Sequence, residues 1–172
     1  MQESSLLIRQ FTPDIEPGFW EMLDRFTFHI DHNYYERCME RHENGELLLI
    51  IASIEGREVG YCLLNWQPKY AYFKKQSLPE IQDLNVLSHY RRRGIGRTLV
   101  DYCEGLARDK GHKEMGIGVG LNSSFGAAQR LYVCHGYIPD GCGVSYDRKQ
   151  VAAGEFRPID DNLSLMMIKT LN

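Results

Sequence analysis

Apolar and polar residues along the chain follow two different periods, and each period predicts its own kind of element. Glu46–Ile54 and Val59–Trp66 are almost continuously apolar and flank the turn residues Glu55-Gly56-Arg57, which is typical of a buried β-hairpin. Apolar residues recur at helical spacing in Asp31–Glu43 and again in the segment that ends near Lys110. The chain therefore contains both strands and helices.

The remaining segments continue this alternation. Gln67–Leu78 is polar and aromatic and is predicted to be a loop, whereas Asn122-Ser123-Ser124 is typical of the cap of a short helix that ends at Cys134. Because no repeat or linker interrupts the order, we predict an α/β (α+β) fold in one domain over residues 1–172. Strand-like patterns occur in five further segments: Leu6–Phe11, Glu80–Leu87, Met115–Leu121, Val144–Tyr146 and Leu163–Thr170.

Composition narrows the class of protein. The 172 residues are 43% hydrophobic and 25% charged, which is ordinary for a globular protein. No apolar run approaches the roughly 20 residues of a membrane helix, and Met1–Ser5 lacks the basic and apolar stretches of a secretory signal. We therefore expect a cytoplasmic protein with no membrane partner. The net charge of −3 gives no reason to expect nucleic acid as a partner.

Cysteine and histidine spacing does not indicate a metal site. The five cysteines are scattered without a CxxC pair, and the six histidines do not combine with them at zinc-ligand spacing. We expect reduced thiols and no metal.

The strongest chemical signal lies between a predicted strand and a predicted helix, in the segment Arg91-Arg92-Arg93-Gly94-Ile95-Gly96-Arg97. The two glycines allow a tight turn and a close approach of the backbone to a ligand. The free N–H groups and partial positive charge at the start of the helix suit a pyrophosphate, and guanidinium groups hold phosphate oxygens well.

Other interpretations of this segment stay open. The pattern is neither a P-loop nor GxGxxG. A tight turn with solvated arginines would give the same sequence. Nucleic-acid binding is less favoured, because the chain is net acidic and the arginines are confined to one turn.

The segment resembles the pyrophosphate motif Q/R-x-x-G-x-G/A of the GNAT superfamily of N-acetyltransferases, which Arg91–Gly96 matches in full. The preceding strand, which ends Asp83-Leu84-Asn85-Val86, also looks like the strand that leads into this motif in the family. Downstream, the chain is similar to the family pattern N…A…LY…GF at Asn122, Ala127-Ala128, Leu131-Tyr132 and Gly136-Tyr137. The resemblance implies a mixed, mainly antiparallel sheet of about six to seven strands flanked by helices, which splays where acetyl-CoA enters.

The resemblance also implies roles for the matching positions. Acetyl-CoA is the expected cosubstrate. The backbone of Arg91, Arg92, Arg93, Gly94, Ile95, Gly96 and Arg97 is expected to hold its pyrophosphate. Val86 and Leu84 are expected to pair with the pantetheine arm, and Asn122 to contact that arm from its other side. Many members of the family are dimers, so a homodimer is an open expectation.

A catalytic scheme follows from the same resemblance. An ammonium acceptor must lose a proton before it attacks the thioester, and a carboxylate can take that proton. Glu80 is the candidate base, because it lies where histone-type members place a catalytic glutamate, and Asp83 is the competing carboxylate. On a regular strand these two side chains would face opposite sides. Tyr132 is the candidate general acid for the departing thiolate, although it also fits a core aromatic position on its helix.

The acceptor is left open by the sequence. The function implied is acetyl transfer to a primary amine by direct attack in a ternary complex, with a small-molecule acceptor favoured. A protein N-terminal or lysine acetyltransferase is one alternative. A non-catalytic acyl-CoA-binding module is the other, although the presence of Asn122 and Tyr132 argues modestly against it.

Overall fold

A computed structural model describes residues 5–172. Most of Met1–Ser5, on which the expectation of no secretory signal rests, lies outside the described residues. The chain divides into two compact units, each built from two sequence segments. The first unit combines the chain up to Asn65 with Gln82–Cys103, and the second combines Trp66–Ile81 with Glu104–Asn172. The expectation of one domain stays a prediction.

Within residues 5–172, eight strands and five α-helices follow one another. The strands are β1 Leu6–Gln10, β2 Leu47–Ile54, β3 Arg57–Asn65, β4 Glu80–Val86, β5 Glu114–Gly120, β6 Ile138–Tyr146, β7 Lys149–Gln150 and β8 Leu163–Thr170. The helices are α1 Glu16–Leu23, α2 His32–Glu43, α3 Ala71–Gln76, α4 Ile95–Asp109 and α5 Gly126–Cys134. Short 3-10 turns cover Pro13–Ile15, Ser88–Tyr90 and Ser123–Phe125.

The strands form one mixed sheet in the order β1-β2-β3-β4-β5-β8-β6-β7. β4 and β5 pair in parallel, with Glu80 opposite Gly116 and Ile81 opposite Ile117. The β1–β2, β2–β3, β5–β8, β6–β8 and β6–β7 pairs are antiparallel. The predicted mixed, mainly antiparallel sheet is therefore confirmed. It contains eight strands rather than six or seven, since β7 adds a strand of two residues.

The core of the first unit lies between its two helices and its hairpin. Phe19 of α1 and Tyr35 of α2 each make edge contacts with Tyr61 of β3, at ring-centroid distances of 5.7 and 5.8 Å. The amphipathic pattern of α2 buries one face of that helix, and Asp31 caps its start by accepting a hydrogen bond from the Tyr34 N–H at 3.2 Å. Burial of such rings supplies the main stabilisation of this unit.

The second unit has its own core, in which Tyr70 and Phe73 pack with Leu78 and Met166. This core explains why the predicted loop at Gln67–Leu78 is wrong. Tyr70 and Phe73 are three residues apart, so one helical turn brings both rings to the same side. α3 therefore forms, with Tyr70 immediately before its start and Ser77 immediately after its end. Within residues 5–172, no helix combines the length and apolar character needed to cross a membrane.

Candidate functional site

The arginine-rich turn lies in the first unit and is tied to the sheet. Leu87, immediately after β4, donates its N–H to the Val59 carbonyl at 2.9 Å. Tyr90 then donates to the Leu87 carbonyl at 2.9 Å, and Arg91 donates to the Ser88 carbonyl at 3.2 Å. These hydrogen bonds fix the path of the backbone from the end of β4 to the start of α4.

The turn itself needs backbone conformations that most residues avoid. Arg92 has φ +63° and Gly94 has φ +81°. Glycine adopts that region without cost, whereas a residue such as arginine is strained there. The Gly94 carbonyl accepts hydrogen bonds from the N–H and the hydroxyl of Thr98 at 3.0 and 3.1 Å, so it begins α4. Ile95 is only 2% exposed and fixes the first turn of the helix against the protein interior.

This geometry can bind a phosphate group. The first N–H groups of an α-helix have no carbonyl partner within the helix, and the helix dipole makes that end positive. α4 has 15 residues, and its first turn carries no acidic side chain. The turn predicted at Arg91–Arg97 therefore has the backbone arrangement expected of a pyrophosphate site.

The arginine side chains of the turn differ in what they contact. Arg91 donates from Nε to the Val86 carbonyl at 2.9 Å, so it also braces β4. Arg97 lies 3.9 Å from Asp101 on the exposed surface of α4. Arg93 stacks its guanidinium over the Tyr90 ring at 5.3 Å.

β4 departs from regular strand geometry at Asp83, where φ is +50°. The Asp83 carboxylate is exposed and accepts a hydrogen bond from the Tyr34 hydroxyl. Asn85 donates from Nδ2 to the Asp83 carbonyl at 3.2 Å and to the Tyr61 hydroxyl at 3.1 Å. Leu84 and Val86, the predicted partners of the pantetheine arm, lie in this irregular stretch. Sequence periodicity gives no signal for such an irregularity.

A cluster of phenols and a thiol lies behind Asp83 in the first unit. The hydroxyls of Tyr35 and Tyr61 are 2.5 Å apart. Burial raises the pKa of Tyr35 to about 12. Burial, followed by the charge and hydrogen bond of Asp83, raises the pKa of Tyr34 as well. Burial likewise raises the pKa of the Cys38 thiol to about 11. These raised pKa values keep the two phenols and the thiol protonated at neutral pH, so they can donate hydrogen bonds.

β3 approaches β4 unusually closely at one point of the first unit. A Cβ added at Gly60 would come within 2.9 Å of the Asn85 carbonyl oxygen and 3.2 Å of the Val86 side chain. Glycine at this position therefore allows the close approach of the two backbones.

Glu80, the predicted base, lies in the second unit and is 1% exposed. Nη1 of Arg148 contacts both carboxylate oxygens, at 2.7 and 2.8 Å. Arg148 is held in place by the β6–β7 turn, in which Asp147 and Arg148 have φ +48° and +62°. The ion pair argues against Glu80 as a base. If Glu80 accepted a proton, it would lose its negative charge, and the Arg148 guanidinium would then lie beside a neutral carboxyl group. A pairing across 68 residues leaves no sequence signal.

Asn122 and Tyr132 also lie in the second unit. The Asn122 side-chain oxygen accepts hydrogen bonds from the N–H and the hydroxyl of Ser124, at 2.9 and 2.5 Å, so it caps the 3-10 turn before α5. Its amide nitrogen donates to Asp161 at 3.1 Å. Tyr132 is 5% exposed, and its ring makes an edge contact with Tyr137 at 6.2 Å. The core position expected for Tyr132 on its helix is therefore present, and its role as an acid stays a prediction.

The first unit thus holds every predicted cofactor residue except Asn122, namely Leu84, Val86 and Arg91–Arg97. Glu80, Asn122 and Tyr132 belong to the second unit. Sequence reasoning missed the contacts of Tyr34 and Arg148 with the two β4 carboxylates.

Comparison with known proteins agrees with the fold. The sequence profile of the Acetyltransferase (GNAT) family matches residues 11–137, well over half of the chain. The chain therefore belongs to the GNAT acetyltransferase family.

Individual relatives share low sequence identity with the chain. An uncharacterized N-acetyltransferase from Archaeoglobus fulgidus is 30% identical over 102 residues, which span 58% of this chain and 64% of that protein's own length. A GNAT-family acetyltransferase structure from Desulfovibrio desulfuricans has a TM-score of 0.73 at 11% identity and covers 98% of this chain and 100% of its own. A Salmonella typhimurium structure, described as an acetyltransferase with its cofactor acetyl-CoA, has a TM-score of 0.69 at 17% identity and covers 98% and 95%.

Proposed function

We propose that the chain is an N-acetyltransferase that moves the acetyl group of acetyl-CoA to the primary amine of a small molecule. The turn from Arg91 to Gly96 carries this proposal, because positive φ at Arg92 and Gly94 directs the backbone into the first turn of α4. The similar Salmonella typhimurium protein, with its acetyl-CoA, supports the identity of the cosubstrate.

The reaction needs a group that takes the ammonium proton, and two carboxylates of β4 are available. We assign this role to Asp83 rather than to Glu80. Asp83 is exposed to solvent and oriented by the Tyr34 hydroxyl, whereas Glu80 is buried against Arg148. The proton can pass to Asp83 directly or through one water.

The remaining steps follow the family resemblance. The amine nitrogen forms a bond to the acetyl carbon, and the backbone N–H of Val86 stabilises the oxyanion that results. The C–S bond then breaks, Tyr132 gives its proton to the thiolate of CoA, and the second proton of the acetylated nitrogen passes through water to restore the phenol. Acid catalysis of this kind contributes about 10² to 10⁴ in rate.

The activity is tested by release of free CoA thiol from acetyl-CoA in the presence of a panel of small amines and peptides. Acceptor-dependent release with a small amine, and none with peptides, is the expected result. Release with peptides alone would identify a protein acetyltransferase. CoA binding without release on any acceptor would instead support an acyl-CoA-binding module.

Placement of the cofactor is tested separately by Gly94→Asp. The space around Gly94 is open, so an aspartate side chain meets no neighbouring atom there, although it is strained at φ +81°, and it adds negative charge beside the phosphates. Gly45→Asp is the matched control, since Gly45 also has positive φ, at +73°, and open space. We expect at least a tenfold loss of CoA affinity in Gly94→Asp alone. Equal CoA affinity in the two folded variants would contradict the placement.

A further inference from the structure

The first unit has a second charged feature, a pocket of about 410 Å³ near the turn. Its polar lining is mainly cationic and comes from three separate parts of the unit. Arg25 follows α1, Arg57 begins β3 and Arg93 belongs to the turn before α4. The polar lining is completed by Glu55, His89 and Tyr90.

Contacts within the first unit hold each of the three arginines in place. Arg25 donates its N–H to the Met22 carbonyl at 3.1 Å. Arg57 follows the hairpin turn Glu55-Gly56, in which both residues have positive φ, and it pairs with Ile54. Arg93 rests on the Tyr90 ring. The pocket therefore does not require long loops to be ordered before a ligand binds.

The charges of the pocket do not cancel. Three guanidinium groups face one carboxylate, that of Glu55, which leaves two positive charges when His89 is neutral. Across residues 5–172, none of the three arginines forms an ion pair. Like charges gathered around one pocket repel each other, and an anion bound among them would remove that cost.

We propose that this pocket binds a phosphate monoester. A dianion matches the two excess positive charges, and guanidinium groups together with the Tyr90 hydroxyl are suitable donors to phosphate oxygens. The phosphate can come from two sources, the 3′-phosphate of CoA or a separate phosphorylated molecule. The inference goes beyond the proposed acetyl transfer, which the thiol-release assay tests on its own.

The experiment uses the full chain saturated with dephospho-CoA, which carries the pyrophosphate but lacks the 3′-phosphate. Inorganic phosphate is titrated in, and binding is followed by the ³¹P line width. The double variant Arg25→Ala/Arg57→Ala leaves the turn intact. Its control, Arg37→Ala/Arg130→Ala, removes the same charge from exposed positions on α2 and α5.

Phosphate is expected to bind the native chain and the control equally. Because each charge-assisted hydrogen bond is worth about tenfold in affinity, we expect the Arg25→Ala/Arg57→Ala variant to bind at least about a hundredfold more weakly. If CoA in place of dephospho-CoA abolishes phosphate binding, the source is the cofactor. If binding persists with CoA, the source is a separate phosphorylated molecule. No phosphate binding, or equal binding in both double variants, would overturn the proposal.

Discussion

Replacing Arg148 with methionine removes one charged partner of the buried Glu80 carboxylate while keeping an unbranched side chain. In the native chain, Nη1 of Arg148 lies 2.7 and 2.8 Å from the two carboxylate oxygens of Glu80. Glu80 is 1% exposed, so it cannot exchange the lost partner for bulk water. Removal of one member of a buried ion pair usually costs about 3–5 kcal/mol.

The magnitude for this pair is smaller, because the Arg148 side chain is 37% exposed and solvent screens part of the interaction. We expect Arg148→Met to lower the free energy of unfolding by about 2–3 kcal/mol at pH 7. With a urea m-value of about 2 kcal/mol/M, that loss shifts the midpoint by about 1 M.

Urea unfolding at pH 7 measures this effect, and two further variants isolate its cause. Arg130→Met removes an exposed arginine from α5 and should change stability by less than about 0.5 kcal/mol. Adding Glu80→Gln to Arg148→Met removes the buried charge and should restore most of the lost free energy of unfolding. The reasoning is refuted if Arg148→Met is as stable as Arg130→Met at pH 7, or if adding Glu80→Gln restores none of the lost stability.

Three further predictions concern packing, catalysis and ionisation. Gly60→Ala should lower the free energy of unfolding, measured with urea, by about 1–3 kcal/mol, because the added Cβ would crowd the Asn85 carbonyl. The control Gly105→Ala lies in open space on α4 and should not be destabilising in the same assay. Tyr132→Phe should keep CoA affinity but slow thiol release by up to about 10⁴-fold, and a fully active variant would remove Tyr132 from the mechanism. Tyr35 should ionise near pH 12 rather than pH 10 in an ultraviolet titration. Because the pKa of Tyr35 is raised in the folded state, its contribution to the free energy of unfolding is complete below about pH 10 and is lost as the pH rises through 12.

Periodic segments were the part of the fold that the sequence predicted best. β8 has the predicted bounds Leu163–Thr170, and α2 and β4 begin or end within one residue of prediction. α4 ends at Asp109, next to the predicted Lys110. α2 buries one face, formed by Tyr35, Cys38 and Met39, so its pattern of apolar residues records the structure directly. α3 was missed because Phe73 is its one buried residue, and a single residue cannot establish a period.

The candidate site was predictable only where its chemistry is local. The turn at Arg91–Gly96 is a run of adjacent residues, so the need for glycine and for a helix start is visible in the sequence. The contacts of Asp83 with Tyr34 and of Glu80 with Arg148 join residues 49 and 68 positions apart. Such pairs depend on how the chain folds back on itself, which residue types alone do not specify.

Those two long-range contacts decide what each carboxylate of β4 can do. A base must gain a proton and lose it again in every turnover, so its charge must change at low cost. For Glu80, each protonation would leave Arg148 beside a neutral group in a buried place, and the cost of the Arg148→Met variant measures how large that penalty is. Asp83 is exposed, and the Tyr34 hydroxyl that it accepts from remains protonated because burial and Asp83 itself raise the pKa of that phenol. A large loss of stability in Arg148→Met would thus argue for Asp83 as the proton acceptor, whereas a negligible loss would return Glu80 to that role.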